Sequence, residues 1–357
     1  MKKVLSIFAV LIMTAAVLTG CGKENTQTTA ESQVETTTES AAETQAVSTE
    51  ESKEKTADDN IALNVGSLKG PTSMGLVRLM EQTENGQAKG SYEFTMVTAA
   101  DELLGKIVNG DLDVALVPAN MASILYNKTN HGITVININT LGVLYGISSD
   151  DSIKSMADLK GKTIYLPGKG TTPDYALKHV LAANGLSEDD VTLEYKSEPA
   201  EVAAVLKEKT DGVGLLPQPF VTAAMAQNNS LHMVLDLTKE WNAVAKEDGS
   251  SLVTGVTICR NEILKDHKDA IDTFLSEQKE SAAYSNENGK EAALLIAKAG
   301  IIAKAPIAEK ALPYCSITYV DGNDMKSLLS GYLKVLYDMD PQTIGGTLPD
   351  EQFYYIP

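Results

Sequence analysis

Short apolar runs alternate with stretches of helical periodicity from Ile61 onward. This alternation is typical of an α/β protein, in which strands and helices follow one another along the chain. The pattern predicts strands at Ile61–Val65, Tyr92–Val97, Val114–Val117, Ile133–Ile138, Thr163–Leu166, Val191–Tyr195, Val213–Leu216 and Met233–Leu237. Between them it predicts helices at Thr72–Gln82, Ala100–Val108, Asn120–Tyr126, Pro173–Ala183, Pro199–Lys207 and Pro219–Ala226.

Two parts of this series share one plan, which predicts two similar α/β lobes. The segments ADELLGKIVNGDLDVALVPAN and PAEVAAVLKEKTDGVGLLPQP both contain a helix, a turn, a strand and a proline. After Asn242 the β-like sequence SLVTGVTICR returns and long helical stretches follow. We therefore expect the chain to cross between lobes near Ser148 and again near Ser250. Lobe 1 then comprises residues 61–148 and 250–357, and lobe 2 comprises residues 149–249.

The turns SLKGPTSMGLVRLM and LPGKGTTPDYALKHVL each predict a strand end, a Gly-rich loop and the start of a helix. Ligands of open α/β sheets bind beyond the carboxyl ends of strands, in this kind of loop. Helix N-termini offer unpaired N–H groups and the positive end of the helix dipole. The sequence therefore predicts a cleft between the lobes that holds a small polar or anionic ligand from both sides.

The first residues predict export and a lipid anchor. Lys2 and Lys3 precede a short apolar run, Val4–Val17, which is typical of a secretory signal and too short for a stable membrane span. The following LTGC resembles a lipobox, so we expect residues 1–20 to be a signal peptide and Cys21 to be lipidated. An ordinary signal peptide with an incidental cysteine is the alternative. Residues 21–60 are rich in Thr, Ser and Glu and lack aromatic residues, so they are predicted to form a disordered acidic tether.

The net charge of −18 argues against nucleic acid and against adsorption to an anionic membrane. Four scattered histidines show no metal-ligand spacing, and the common catalytic and phosphate-binding motifs are absent from the sequence. We therefore expect no catalytic residue, cofactor or metal. Cys259 and Cys315 are predicted to form either a disulfide or two buried thiols, because spacing alone does not decide between them.

A family resemblance follows from DLDVALVPAN, MADLKGKTIYLPGKGTTPDYAL, LPQPFVTAAM and TIGGTLPDEQFYY, together with the lipobox and tether. Residues 61–357 resemble a substrate-binding lipoprotein of an ABC importer, in the SsuA-like group that binds sulfonates, nitrate or thiamine precursors. The resemblance implies a type 2 periplasmic-binding fold with two lobes, a ligand cleft and two crossovers. It also implies a monomer outside the cytoplasm that delivers a solute to a permease driven by a cytoplasmic ATPase.

Carried over by position, the family's ligand contacts fall on residues of both predicted lobes. They are Lys69, Gly70, Pro71, Thr72, Asn120, Tyr145, Gly170, Thr171, Thr172, Gln218 and Pro219. The prolines and threonines also suit simple turns and helix caps.

The ligand class is less well defined by the sequence. Sulfonate sites favour arginine, but the chain has only Arg78 and Arg260, neither in a predicted loop, whereas Lys69 and Lys169 could supply charge. A ring ligand would stack on aromatic side chains, for which the candidates are Tyr145, Tyr175, Phe220 and Trp241. A heteroaromatic, thiamine-precursor-like solute is slightly favoured over an alkanesulfonate or nitrate.

Two other functions compete with import. Relatives of the thiamine-precursor branch include a pyrimidine synthase on the same fold, which depends on a cysteine-rich segment and placed histidines that this sequence lacks. A ligand-sensing surface lipoprotein is the other alternative.

Overall fold

The computed structural model describes residues 61–98, 100–208, 212–245 and 250–357. These residues all belong to one compact unit. The predicted signal peptide, Cys21 and the tether lie outside the described residues. None of the described helices is both long enough and apolar enough to cross a membrane.

The first sheet is built from strands at both ends of the described chain. They are β1 (Ala62–Leu68), β2 (Ser91–Val97), β3 (Val114–Pro118), β4 (Ile133–Leu141), β10 (Val253–Arg260) and β11 (Ile317–Val320). Their spatial order is β11-β4-β10-β3-β1-β2. Strands β1, β2 and β3 are parallel, whereas β10 runs antiparallel to both β3 and β4. The carboxyl ends of β1 and β3 therefore lie at one edge of this sheet.

The second sheet is built from the middle of the chain. Its strands are β5 (Leu144–Ser148), β6 (Thr163–Pro167), β7 (Thr192–Lys196), β8 (Val213–Pro217) and β9 (His232–Asp236). Their order is β7-β6-β8-β5-β9, with β6 parallel to β7 and β8 and with β5 antiparallel to β8 and β9. The carboxyl ends of β6 and β8 again share one edge.

Helices cover the faces of both sheets. They are α1 (Pro71–Met74), α2 (Val77–Glu84), α3 (Ala100–Val108), α4 (Ala119–Lys128), α5 (Thr172–Ala183), α6 (Pro199–Glu208), α7 (Phe220–Gln227), α8 (Leu237–Val244), α9 (Asn261–Asp266), α10 (Lys268–Glu287), α11 (Gly289–Lys298), α12 (Ala305–Ala311) and α13 (Gly322–Met339). Their apolar faces meet the apolar strand residues, and the largest buried cluster includes residues of both sheets.

The eight predicted strands are present, with small shifts at their ends. The predicted helix Thr72–Gln82 is instead two helices, α1 and α2, separated by Gly75 and Leu76. Strand β5 was not predicted. It follows β4 after only Gly142 and Val143, so the first change of sheet comes a few residues before the predicted crossing near Ser148.

The two connections between the sheets touch one another. The first is Gly142 and Val143, and the second runs from the end of β9 through α8 to β10. A β-carbon added to Gly142 would lie 2.1 Å from Thr238 Oγ1 and 3.0 Å from Leu252 Cδ2, both in the second connection. The absence of a side chain at Gly142 thus permits this close approach.

Cys259 and Cys315 are free and buried, so the thiol alternative is the one observed and the disulfide is not formed. Burial raises the pKa of each thiol to about 12. Such thiols are poor nucleophiles at neutral pH.

Candidate functional site

Loops at the carboxyl ends of β1, β3, β6 and β8 contain nearly all of the predicted ligand contacts. The β8 loop lies directly beside the first connection between the sheets, because the Gln218 amide N–H donates to the Val143 carbonyl at 3.0 Å. Gln218 is therefore placed where the chain passes from one sheet to the other.

In the β1 loop, Pro71 begins α1 and the Thr72 hydroxyl donates to the Leu68 carbonyl at 3.0 Å. Gly70 has a φ of 149°, which favours glycine, and Lys69 is exposed. The hydroxyl of Thr72 thus stabilises the turn between β1 and α1.

Thr72 is close to two residues that the sequence did not indicate. A β-carbon added to Gly255 would lie 2.8 Å from the Thr72 methyl group and 2.6 Å from Asn139 Oδ1. Asn139 in turn donates to Thr257 Oγ1 at 3.1 Å and is almost fully buried. Only the alternation of polar residues in ININT of β4 could have suggested Asn139.

The β6 loop is organised by a buried carboxylate on α5. Asp174 accepts from the Gly170 N–H at 2.8 Å and from the Tyr195 hydroxyl at 2.9 Å. The Thr171 hydroxyl donates to the Gly168 carbonyl at 2.5 Å. Gly170 and Thr171 therefore have structural partners that fix the loop.

Thr172 connects this loop with a helix that packs on the first sheet. Its side chain lies beside the hydroxyl of Tyr332, which is buried on α13. The two sheets are thus joined by a direct side-chain contact on the β6 side of the cleft.

Asn120, at the start of α4, was predicted to offer its amide to a ligand. Its Nδ2 donates to the Thr343 carbonyl at 3.3 Å. Ser123 and Asn127, on the same face of α4, donate to the Ile344 carbonyl at 2.8 and 3.2 Å. Asn120 therefore helps to hold the C-terminal segment on α4.

Gln218, after β8, is buried, with 1% of its surface exposed. Its Oε1 accepts from the Thr222 backbone N–H at 3.3 Å and from the Thr222 hydroxyl at 2.9 Å. Its Nε2 has no hydrogen-bond partner within the described ranges. A buried donor without a partner is costly, so this amide offers an unfilled position for an acceptor. Pro219 follows it and precedes α7.

Tyr145 is buried near the β9 edge of the second sheet. Its hydroxyl donates to the Tyr314 carbonyl at 3.1 Å, and the two rings meet edge to face at 6.0 Å. Burial, with a smaller effect from the Asp236 carboxylate, raises the pKa of the Tyr145 hydroxyl. Tyr145 is therefore a second link between the sheets, because Tyr314 lies in the segment that leads to β11.

Two cavities lie near the predicted contacts, one beside the β6 loop and one beside Tyr145. One, of about 570 Å³, lies beside α5 and the end of α13, and its lining includes Lys169, Gly170, Tyr175 and Asp340. The other, of about 280 Å³, lies beside β9; its lining includes Tyr145, Met233, Leu235, Asp236, Glu240 and Tyr314. The first cavity is in the size range of small-molecule sites and the second is close to its lower limit.

The two arginines are engaged away from these loops, as predicted. Arg260 pairs with Asp113 at 3.3 Å and with Glu262 at 2.8 Å, and Arg78 lies over the Tyr284 ring. Neither arginine lines either of the two cavities.

Trp241 was a candidate for stacking on a ring ligand, but it is fully buried. Its indole N–H donates to Ser250 Oγ at 2.9 Å, and its ring contacts His179 and Tyr332. The Trp241 ring is therefore packed against other side chains and is not exposed for stacking on a ligand. Phe220 is 37% exposed at the start of α7, and Tyr175 is partly exposed beside the larger cavity.

Comparison with known proteins adds to this geometry. The family described as NMT1/THI5 like matches residues 133–292. A Brucella abortus protein, named provisionally as a binding protein, is 26% identical over 184 residues. That match covers 52% of this chain and 55% of the relative, so the chain spans about half the length of the curated relatives it matches.

Solved structures match over a longer part of the chain. An ABC transporter structure from Parabacteroides distasonis has a TM-score of 0.70 at 23% identity, covering 83% of this chain and 98% of that one. The periplasmic aliphatic sulphonate binding protein SsuA from Escherichia coli has a TM-score of 0.66 at 17% identity, covering 83% and 92%. The alkanesulfonate-binding SsuA from Xanthomonas axonopodis bound to MOPS has a TM-score of 0.59 at 15% identity, covering 81% and 94%.

The predicted fold and the predicted resemblance are therefore confirmed. The described chain has the fold of the periplasmic binding proteins, its structural neighbours are SsuA-like, and its residues 133–292 match the NMT1/THI5-like family.

Proposed function

We propose that this protein is the extracytoplasmic solute-binding component of an ABC importer. It captures a small organic solute between its lobes and delivers it to a permease driven by a cytoplasmic ATPase. The fold and the names of the structural neighbours support this role. In the proposal the protein acts as a monomer, and a lipid on Cys21 holds it at the membrane while the acidic tether gives it reach.

The observation that carries the proposal is the free amide of Gln218. This donor is buried at the carboxyl end of β8, beside the connection between the sheets, and has no partner in the part of the chain that the structure describes. A solute with an acceptor atom would satisfy it. A solute that contacts both lobes favours the closed arrangement by its additional contacts. In this proposal the first boundary between the lobes lies at Gly142 rather than near Ser148. The second boundary stays at residue 250.

A heteroaromatic, thiamine-precursor-like solute is favoured over an alkanesulfonate or nitrate. Both arginines are engaged elsewhere, so the planar fork that best binds such anions is missing from the loops. Tyr175 and Phe220 keep partly exposed rings near the β6 and β8 loops, where a ring could stack.

Thermal unfolding in the presence of candidate solutes tests this function. The protein is first unfolded and refolded to remove carried ligand, and then mixed with thiamine, its pyrimidine precursor, riboflavin, taurine, longer alkanesulfonates or nitrate. A solute at about 100 times its dissociation constant stabilises the folded state by roughly 2.7 kcal/mol, a shift that is easily seen. A higher unfolding midpoint with a ring compound supports both the transport role and the ligand class. A higher midpoint with a sulfonate overturns the ligand class. If no solute shifts the midpoint, transport of these solutes is excluded.

Replacing Gln218 with alanine should weaken binding of the identified solute about tenfold or more, because one buried hydrogen bond is lost. Calorimetric titration measures this change. Gln227→Ala, at the exposed end of α7, the helix that follows Gln218, is the matched control and should bind normally. Equal affinity of the Gln218 variant and the native protein would show that the solute lies elsewhere.

A further inference from the structure

The proposed function assigns no role to the cavity of about 280 Å³ beside Tyr314. It lies between the edge strand β9 with α8 on one side and the Tyr314 turn on the other. Because β9 packs in the second sheet while Tyr314 leads to β11 of the first, a group held here contacts both lobes.

Aromatic surface forms one wall of this cavity. Tyr314 is 40% exposed, although its ring already contacts Tyr145 edge to face. The remaining ring surface borders the cavity, together with the apolar side chains of Met233 and Leu235. The face of a tyrosine ring is electronegative and attracts a cation placed over it.

Two carboxylates, Asp236 and Glu240, also line this cavity, together with Lys239. Asp236 begins α8, where its Oδ1 accepts from the Thr238 and Lys239 N–H groups at 3.1 and 3.2 Å, and its Oδ2 lies 3.3 Å from Lys239 Nζ. Glu240 has no ion pair or hydrogen bond with any of the residues that the structure describes. Lys239 is 82% exposed and can balance only one of the two carboxylates. The cavity therefore keeps an unbalanced negative charge next to an aromatic face.

We infer that this cavity binds a positively charged nitrogen group, an ammonium or a cationic ring nitrogen, and that the solute of the proposed importer carries such a group. The inference rests on the proposed function. Two carboxylates against the single lysine, Lys239, line the cavity beside the tyrosine rings, so the lining favours a cation over an anion. The volume of about 280 Å³ suits one compact group of a larger solute.

Calorimetric titration with choline and with 3,3-dimethyl-1-butanol tests the inference on the refolded protein. The two probes have nearly the same shape, but a neutral carbon replaces the charged nitrogen in the second. We expect choline to bind at least about tenfold more tightly.

Four variants identify the side chains responsible. Asp236→Asn keeps a good helix cap while removing the charge, so it should fold normally and weaken choline binding several-fold, as should Glu240→Gln. Lys239→Gln should strengthen binding, because it removes the competing cation. Glu287→Gln, at the exposed end of α10, is the control for a change of net charge and should have no effect.

Equal affinity for the two probes, or no binding of either, would overturn the cation inference. The proposed function is tested separately by thermal unfolding. Any solute of that panel that raises the unfolding midpoint supports the function, regardless of the affinity for choline. Loss of binding in the Glu287 variant equal to that in the Glu240 variant would also overturn the inference, because it would indicate an effect of net charge alone.

Discussion

Replacing Glu277 with alanine is expected to lower the free energy of unfolding by about 3 to 5 kcal/mol. Glu277 lies on α10 with 3% of its surface exposed. Its carboxylate accepts from the Lys89 and Gly90 N–H groups at 2.8 and 3.1 Å and from the Tyr92 hydroxyl at 2.7 Å. Alanine leaves three donors without a partner at the start of the edge strand β2, and each such donor costs about 1 to 3 kcal/mol. The Lys89 and Gly90 bonds are only partly buried, so each of these two donors costs about 1 kcal/mol, whereas the Tyr92 bond is buried and costs more.

Urea unfolding measures this loss, and Glu280→Ala is the matched control. Glu280 lies one turn further along α10 and pairs with Lys89 Nζ at 3.4 Å, with both side chains more than half exposed. Its removal should cost less than about 1 kcal/mol, because exposed ion pairs contribute little. Similar losses in the two variants would contradict the structural role assigned to Glu277.

Replacing Gly142 with alanine should weaken binding of the identified solute by about ten- to a hundredfold while leaving the protein folded. The new methyl group would lie 2.1 Å from Thr238 Oγ1 and 3.0 Å from Thr238 Cβ, so the Thr238 side chain or the connection that carries it must shift. Overpacking of this kind costs about 1 to 3 kcal/mol. If the closed arrangement bears most of that cost, the solute loses a corresponding part of its affinity.

A double-mutant cycle separates this effect from a general loss of stability. Thr238 Oγ1 has no hydrogen-bond partner within the ranges that the structure covers, so Thr238→Ala alone should bind almost normally. Combined with Gly142→Ala, it removes the closest contact and should restore much of the affinity. A double variant as weak as Gly142→Ala alone would exclude the contact with Thr238 as the cause.

Much of the fold follows from local sequence. The strand and helix pattern is correct for the segments with clear periodicity, and α3 has the predicted bounds, Ala100–Val108. Strand β5 was missed because Gly142 is the only turn signal between the end of β4 and the start of β5 in ININTLGVLYGIS. The pairing of β5 with β8 and β9, rather than with β4, is decided by tertiary contacts that periodicity does not contain.

The candidate site was predictable only in part, for a similar reason. Gly70, Pro71 and Thr171 follow local rules for turns and helix starts, so their loops could be placed from the sequence. The partners of Asn120 and Thr172 could not, because Thr343 and Tyr332 are far away along the chain. The burial of Trp241 could not be predicted, because an aromatic residue on a helix suits a buried core as well as a ligand surface.

The burial of Trp241 has a practical consequence. It is the only tryptophan in the sequence, and it lies where α8, between the sheets, meets His179 of α5 and Tyr332 of α13. Its intrinsic fluorescence therefore comes from one indole at the junction of the two halves. Domain motion that alters this packing should change the emission, so the unlabelled protein contains its own optical reporter for stopped-flow studies of solute capture.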